Sequence, residues 1–218
     1  MAGELYKSEE SDLLIEYIGD SITTGIGVHR TPDGWAHDGT NSYAFLSAIN
    51  MGVDWRIRSR SGIGAYINSG GGKGVNCDWY NSYPLENSWR SSTTPYNESR
   101  QADVVVIYLG TNDNSGLGGI NTEAKINELA GGMKLLIERV KSYNKDAKIV
   151  WVSGGMTDKY REAANRAIAS FGGSEKGYFL CDVPVNMKAG ENGHPDSKQQ
   201  RIIAYALEAF LNENVLTD

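Results

Sequence analysis

Five short segments of the chain have the apolar pattern of β-strands. They are residues 13–18, 53–60, 102–110, 147–153 and 177–184. Three of them are almost continuously apolar, which is typical of parallel strands covered on both faces. The second segment instead alternates Val53, Trp55 and Ile57 with charged residues. This alternation predicts a strand whose apolar side chains face the core and whose charged side chains face solvent.

Helical periodicity fills the intervals between most of these strands. The predicted helices cover residues 40–51, 121–143, 158–171 and 196–212. Strands that alternate with helices predict an α/β fold, in which a parallel sheet of about five strands carries helices on both faces. No linker or repeat divides the pattern, so we expect a flexible tail over residues 1–12 and a single domain over 13–218.

Polar and small residues follow directly where several predicted strands end. Ser21 follows the first strand, Gly62 the second and Asn112 the third, and His194 follows the last strand and precedes the closing helix. In open parallel sheets, the carboxyl ends of the strands meet at one edge, and ligands bind there. We therefore expect these four residues to lie near one another.

Composition and charge exclude some classes of partner. The 218 residues carry a formal net charge of -6, which argues against a nucleic-acid-binding protein, since that function needs a basic surface. No apolar run approaches the roughly 18 residues of a membrane span. The first twelve residues lack the pattern of a signal peptide, so we expect either a cytoplasmic protein or a secreted protein without its signal. Cys77 and Cys181 are expected to be two buried thiols, with one long-range disulfide as the alternative.

Ser21 and His194 have the chemistry of a nucleophile and its general base. A serine hydroxyl becomes reactive when a histidine can accept its proton, and the two can come from distant parts of a chain. The other histidines, His29 and His37, lie in the loop that follows Ser21. Glu191, three residues before His194, is the nearest carboxylate able to orient the imidazole. A solvated loop carboxylate is the alternative interpretation of Glu191.

Three groups could stabilise the oxyanion that forms when a serine attacks an ester. They are the backbone N–H groups of Ser21 and Gly62 and the side-chain amide of Asn112. Gly64 is the alternative to Gly62, since either glycine lets the backbone approach a substrate closely.

Four sequence blocks resemble the SGNH, or GDSL, hydrolase superfamily. The blocks are GDSIT at 19–23, SG at 61–62, GTND at 110–113 and ENGHP at 191–195. The resemblance implies a flavodoxin-like three-layer α/β/α fold, no metal or other cofactor, and hydrolysis through an acyl-serine intermediate. It also implies that the catalytic residues are Ser21, His194 and Glu191, although the superfamily usually has an aspartate at the last of these positions.

Within that superfamily, the blocks look most like carbohydrate esterase family 2, whose members remove acetyl groups from plant polysaccharides. The resemblance therefore implies an acetylated carbohydrate substrate. Members usually carry a jelly-roll domain before the hydrolase, and some hold the histidine with a backbone carbonyl instead of an acid. A lysophospholipase or thioesterase is one alternative function. A carbohydrate-binding module with vestigial catalysis is the other.

Aromatic residues in two irregular segments are candidates for sugar stacking. They are Trp35, Trp79, Trp89 and Tyr96. Aromatic rings offer flat apolar faces that suit a sugar ring. The alternative, which we favour for most of them, is that these rings pack the segments onto the domain.

Overall fold

The computed structural model describes residues 10–29, 36–72 and 100–217. In chain order, its strands and helices are β1 (Leu14–Gly19), α1 (Tyr43–Met51), β2 (Asp54–Ser59), β3 (Val104–Tyr108), α2 (Thr111–Gly116), α3 (Glu123–Tyr143), β4 (Lys148–Gly155), α4 (Arg161–Ala169), β5 (Tyr178–Val185) and α5 (Ser197–Phe210). A π-helical turn, Leu211–Val215, extends α5. Of the flexible tail predicted for residues 1–12, residues 1–9 lie outside the described residues.

The five strands form one parallel sheet in the order β2-β1-β3-β4-β5. Helices α1 and α5 pack together, and so do α3 and α4, so that the sheet lies between two helical layers. The predicted α/β fold with a five-stranded parallel sheet is confirmed. Within the described ranges, no helix combines the length and the apolar character needed to cross a bilayer.

The register of the sheet brings the ends of three strands to the same level. Gly19, the last residue of β1, pairs with Ser59 at the end of β2 and with Tyr108 at the end of β3. The residues that follow these strands therefore emerge side by side. Ser21, Gly62 and Asn112 lie within four residues of these ends, as the strand pattern predicted.

The prediction for the two faces of β2 is confirmed for Val53 and Ile57, which pack against the core, but it is wrong for Trp55 and Arg58. Trp55 is 42% exposed and Arg58 only 5% exposed. The reason lies on the neighbouring strand, where Glu16 is fully buried and accepts a hydrogen bond from Arg58 Nε at 2.5 Å. Arg56 contacts the same carboxylate at 3.3 Å. A buried carboxylate needs such partners, and they determine which side chains of β2 turn inward.

Candidate active site

The turn after β1 holds Ser21 in a defined position. Asp20 Oδ1 accepts a hydrogen bond from the N–H of Ile22 at 2.9 Å. The carbonyl oxygen of Ser21 accepts hydrogen bonds from Thr24 Oγ1 at 3.0 Å and from the N–H of Ile26 at 3.1 Å. Short polar side chains that bond nearby backbone groups are typical of tight turns. The turn leaves Ser21 largely buried, with its hydroxyl at the sheet edge.

His194 reaches Ser21 from the far end of the chain. Its Nε2 lies 2.9 Å from Ser21 Oγ, which is hydrogen-bonding distance. The histidine lies two residues before Asp196, the N-cap of α5, and this cap forms a capping box with Gln199. The rigid start of α5 therefore fixes the backbone that carries the imidazole.

Gly27 lets the histidine segment approach the turn after β1. A Cβ atom at position 27 would lie 2.7 Å from His194 Cβ and 3.1 Å from the carbonyl oxygen of Glu191. Gly27 also has a positive φ of 87°, which side chains rarely allow. The close contact between these two segments thus requires glycine at this position.

The second ring nitrogen of His194 has no carboxylate partner among the described residues. Nδ1 is buried, and no acceptor in those ranges meets hydrogen-bond geometry with it. Burial lowers the pKa of His194, and nearby backbone groups of Asn192 and Glu191 partly offset this effect. Among the described residues, the expected hydrogen bond between the Glu191 carboxylate and the imidazole is therefore not formed.

Gly62 and Gly64 differ in what their N–H groups do. The N–H of Gly64 donates to Asn68 Oδ1 at 3.2 Å, whereas no described residue accepts a hydrogen bond from the N–H of Gly62. Gly62 also has a positive φ of 80°, a conformation that favours glycine. Of the two candidates, Gly62 is the one whose donor is available to a ligand.

Asn112 lies in the first turn of α2, a short helix that the sequence patterns did not predict. Its Nδ2 donates to Asp20 Oδ2 at 3.0 Å and to the carbonyl oxygen of Ile63 at 2.8 Å. The amide therefore lies between the turn after β1 and the Gly62 segment. Burial raises the pKa of Asp20 to about 7, although its hydrogen bonds oppose this rise.

Asp113 braces the segment that carries Gly62. Its carboxylate accepts hydrogen bonds from the backbone N–H groups of Ala65 and Tyr66, both at 2.7 Å, and of Ile67 at 2.9 Å. A carboxylate that accepts three backbone N–H groups holds a loop firmly. The Gly62 segment and Asn112 therefore form a single rigid unit.

The remaining predicted residues lie apart from this arrangement or beyond the described ranges. His29 Nε2 bonds Asp38 in the loop after Ser21, while His37 is exposed and close enough to influence the pKa of His194. Cys181 is a buried free thiol. Some predicted residues fall outside the described residues: Trp35, Cys77, Trp79, Trp89 and Tyr96.

Gln200 is a buried polar residue that the sequence patterns did not single out. It is fully buried in α5, and it contacts both α1 and the turn after β1. A signal was present, because Gln200 lies three, four and seven residues before Ile203, Ala204 and Leu207, the buried residues of α5. A glutamine on the apolar face of a helix needs internal hydrogen-bond partners.

Comparisons with known proteins identify several similar sequences and structures. Residues 17–205 match the model of the GDSL-like Lipase/Acylhydrolase family. A cellulase/esterase, CelE, from Acetivibrio thermocellus is 30% identical over 222 residues, which cover 92% of this chain and 25% of that protein. This chain thus spans about a quarter of the curated relative it matches.

Two solved structures share the fold over nearly the whole chain. An acetyl xylan esterase, Est2A, from Butyrivibrio proteoclasticus superposes with a TM-score of 0.79 at 18% identity, covering 96% of this chain and 66% of that one. A family two carbohydrate esterase from Clostridium thermocellum, in complex with cellohexaose, gives a TM-score of 0.73 at 28% identity. In that case 95% of this chain and 66% of the other are covered.

Proposed function

The chain belongs to the GDSL-like lipase/acylhydrolase family, and on that premise we propose that it is a serine esterase that removes acetyl groups from carbohydrate. The observation that carries the proposal is the 2.9 Å separation of Ser21 Oγ and His194 Nε2. A serine needs such a contact to become nucleophilic at neutral pH. The lowered pKa of His194 supports the same role, because only a neutral imidazole can accept the proton.

Ser21 and His194 move one proton in each half of the proposed reaction. Ser21 Oγ attacks the ester carbonyl carbon while His194 Nε2 accepts the hydroxyl proton. The bond between that carbon and the sugar oxygen then breaks, and the imidazolium returns the proton to the leaving sugar. Water attacks the acetyl-serine in the same way, with His194 accepting its proton, and acetate leaves as Ser21 recovers a proton.

We assign the oxyanion to three donors: the N–H groups of Ser21 and Gly62 and the amide of Asn112. The uncommitted N–H of Gly62 supports this assignment. Both Nδ2 hydrogens of Asn112 are engaged, by Asp20 and by the carbonyl oxygen of Ile63. The amide must therefore share or release one of these bonds when charge develops on the substrate, which gives it a stronger partner in the transition state.

We further propose that His194 and Ser21 act as a dyad, without an acid from Glu191. The buried Nδ1 lacks a carboxylate partner among the described residues. Backbone groups of Glu191 and Asn192 raise the pKa of the ring, and a backbone carbonyl carries no full negative charge. Backbone carbonyls can hold the ring in one tautomer, which is the orienting part of an acid's role.

The carbohydrate substrate is inferred from the relatives. One similar structure is that of an acetyl xylan esterase, and another was solved with cellohexaose. The curated relative is named as a cellulase/esterase. These names refer to acetylated xylan, to cellulase and esterase activity and to a cello-oligosaccharide, so we infer an O-acetylated polysaccharide as the substrate class of this chain.

The test is hydrolysis of p-nitrophenyl esters from acetate to octanoate, together with acetate release from acetylated xylan. We expect acetate to be the fastest ester and both Ser21→Ala and His194→Ala to lower kcat about 10³-fold or more. Ser115→Ala, which removes an exposed hydroxyl on α2, is the matched control and should match wild type.

Each contrary result identifies a different alternative. Fastest hydrolysis of octanoate would favour a lysophospholipase or thioesterase. If wild type and Ser21→Ala are equally inactive on every ester, the esterase proposal fails and a carbohydrate-binding module becomes the better interpretation.

A further inference from the structure

Gln200 links three separate parts of the fold with a single side chain. Its Nε2 donates to the carbonyl oxygen of Ile22 at 2.9 Å, and its Oε1 accepts from the N–H of Tyr43 at 2.9 Å. Ile22 follows Ser21, and Tyr43 is the first residue of α1. Gln200 itself lies in the first turns of α5, six residues after His194. All of these contacts are buried.

The two partners of Gln200 demand opposite hydrogen-bonding roles. The N–H of Tyr43 is one of the donors at the start of α1 that have no acceptor within the helix. The carbonyl oxygen of Ile22 can only accept, and Gly25 N–H also donates to it, at 3.3 Å. A side chain at position 200 must therefore offer a donor and an acceptor together. An uncharged amide does so, and an ionised carboxylate does not.

Asp20 and Gln200 together bond both backbone polar groups of Ile22, the residue that follows the nucleophile. Asp20 Oδ1 holds the N–H of Ile22, and Gln200 holds its carbonyl oxygen. Tyr43, the other partner of Gln200, bonds Thr23 Oγ1 through its hydroxyl at 2.9 Å. The turn that carries Ser21 is thus fastened to α1 and to the helix that begins after His194.

We propose that Gln200 is a positioning residue, which sets the distance between Ser21 Oγ and His194 Nε2 by joining the turn after β1 to α5. The inference rests on the proposed esterase function. It adds a residue whose side chain bonds neither Ser21 nor His194 but controls their alignment. A displacement of about 1 Å in reacting groups can lower a rate about 10²-fold, so the effect on kcat is measurable.

Gln200→Glu turns this contact into a switch. When protonated, the introduced carboxyl can donate to the carbonyl oxygen of Ile22 and accept from the N–H of Tyr43, as glutamine does. When ionised, it places a carboxylate oxygen against the carbonyl oxygen of Ile22. Because both atoms can only accept hydrogen bonds, they repel each other and displace the turn after β1. Burial raises the pKa of a carboxyl placed there above its usual range, which brings the transition into the range where the enzyme can be assayed.

The experiment compares wild type, Gln200→Glu, Gln200→Leu and Arg201→Gln in hydrolysis of p-nitrophenyl acetate between about pH 5 and pH 9. We expect the ratio of kcat for Gln200→Glu to that of wild type to fall about 10²-fold as pH rises, with KM unchanged. Dividing by wild type removes the titration of groups common to both proteins. Gln200→Leu should be impaired at every pH.

Arg201→Gln is the matched control, because it changes the net charge by the same one unit at the adjacent residue. Arg201 is exposed on α5, so the profile of this variant should follow that of wild type. Circular dichroism across the same pH range should show Gln200→Glu folded throughout.

Three results would overturn the inference. They are a constant ratio for Gln200→Glu, a Gln200→Leu variant with the kcat of wild type, and a loss of ellipticity that parallels the loss of activity. The failure of the proposed function is distinguished by Ser21→Ala. If wild type hydrolyses the ester and Ser21→Ala does not, the esterase proposal stands whatever Gln200 does.

Discussion

Replacing Glu191 with glutamine separates a dyad from a triad. In serine hydrolases whose histidine is held by a buried carboxylate, replacing that acid by an amide lowers kcat about 10⁴-fold. Here the Nδ1 of His194 has no carboxylate partner within the described ranges. Removing the charge of Glu191 should therefore cost little.

The expected loss of kcat/KM in Glu191→Gln differs between a triad and a dyad. A loss of 10⁴-fold corresponds to about 5.4 kcal/mol of transition-state stabilisation. The backbone of Glu191 acts on the ring, whereas no described carboxylate bonds Nδ1, and the backbone remains in Glu191→Gln. We expect kcat/KM to fall less than about 10-fold, or about 1.4 kcal/mol, and we expect the acid limb of the pH profile to remain in place.

The assay is kcat/KM for p-nitrophenyl acetate between about pH 5 and pH 9. Glu213→Gln, which changes an exposed carboxylate at the far end of α5, is the matched control. His194→Ala gives the value of kcat/KM that remains when the general base is absent. A loss above about 10³-fold in Glu191→Gln, or a displaced acid limb, would refute the dyad and restore Glu191 as the third member.

Three further predictions concern titration and stability. Because burial lowers the pKa of His194, the acid limb of kcat/KM should lie below about pH 6.5; a limb above about pH 7 would contradict this. The pKa of Asp20, about 7 in the fold, exceeds its unfolded value, so its stabilisation is complete at low pH and is lost as pH rises through 7. Denaturant titrations should show wild type losing about 2 kcal/mol relative to Asp20→Asn between about pH 5 and pH 7, and parallel curves would disprove it. Arg58→Met removes the shorter of the two arginine contacts of the buried Glu16 and leaves that of Arg56, so it should cost about 3 kcal/mol. Adding Glu16→Gln should recover part of that loss, and the absence of any recovery would count against the ion pair as its cause.

The location of the candidate site could be predicted from the sequence for a simple reason. Ser21, Gly62 and Asn112 each follow a strand closely, and strands of a parallel sheet end at the same edge. His194 needed one more step, because its segment precedes the last helix rather than ending a strand. The order of apolar and polar segments was sufficient to place all four residues together.

The faces of β2 and the identity of Gln200 could not be obtained in the same way. Arg58 turns inward because of Glu16, which lies on another strand, and a one-strand pattern contains no information about its neighbour. Gln200 likewise meets Ile22 and Tyr43 only after the fold has formed. Long-range polar contacts of this kind determine local orientation, yet they leave only a weak local signal.

The contact between Ser21 and His194 spans 173 residues of sequence, and this separation has a consequence for the biosynthesis of the protein. The sheet can begin to assemble while the ribosome is still translating, but the hydroxyl meets the imidazole only after α5, the last α-helix of the described residues, has docked. Contacts between distant segments form late and slowly. Newly made chains should therefore acquire ester hydrolysis after their secondary structure. The appearance of activity would then report when the final step of folding is complete.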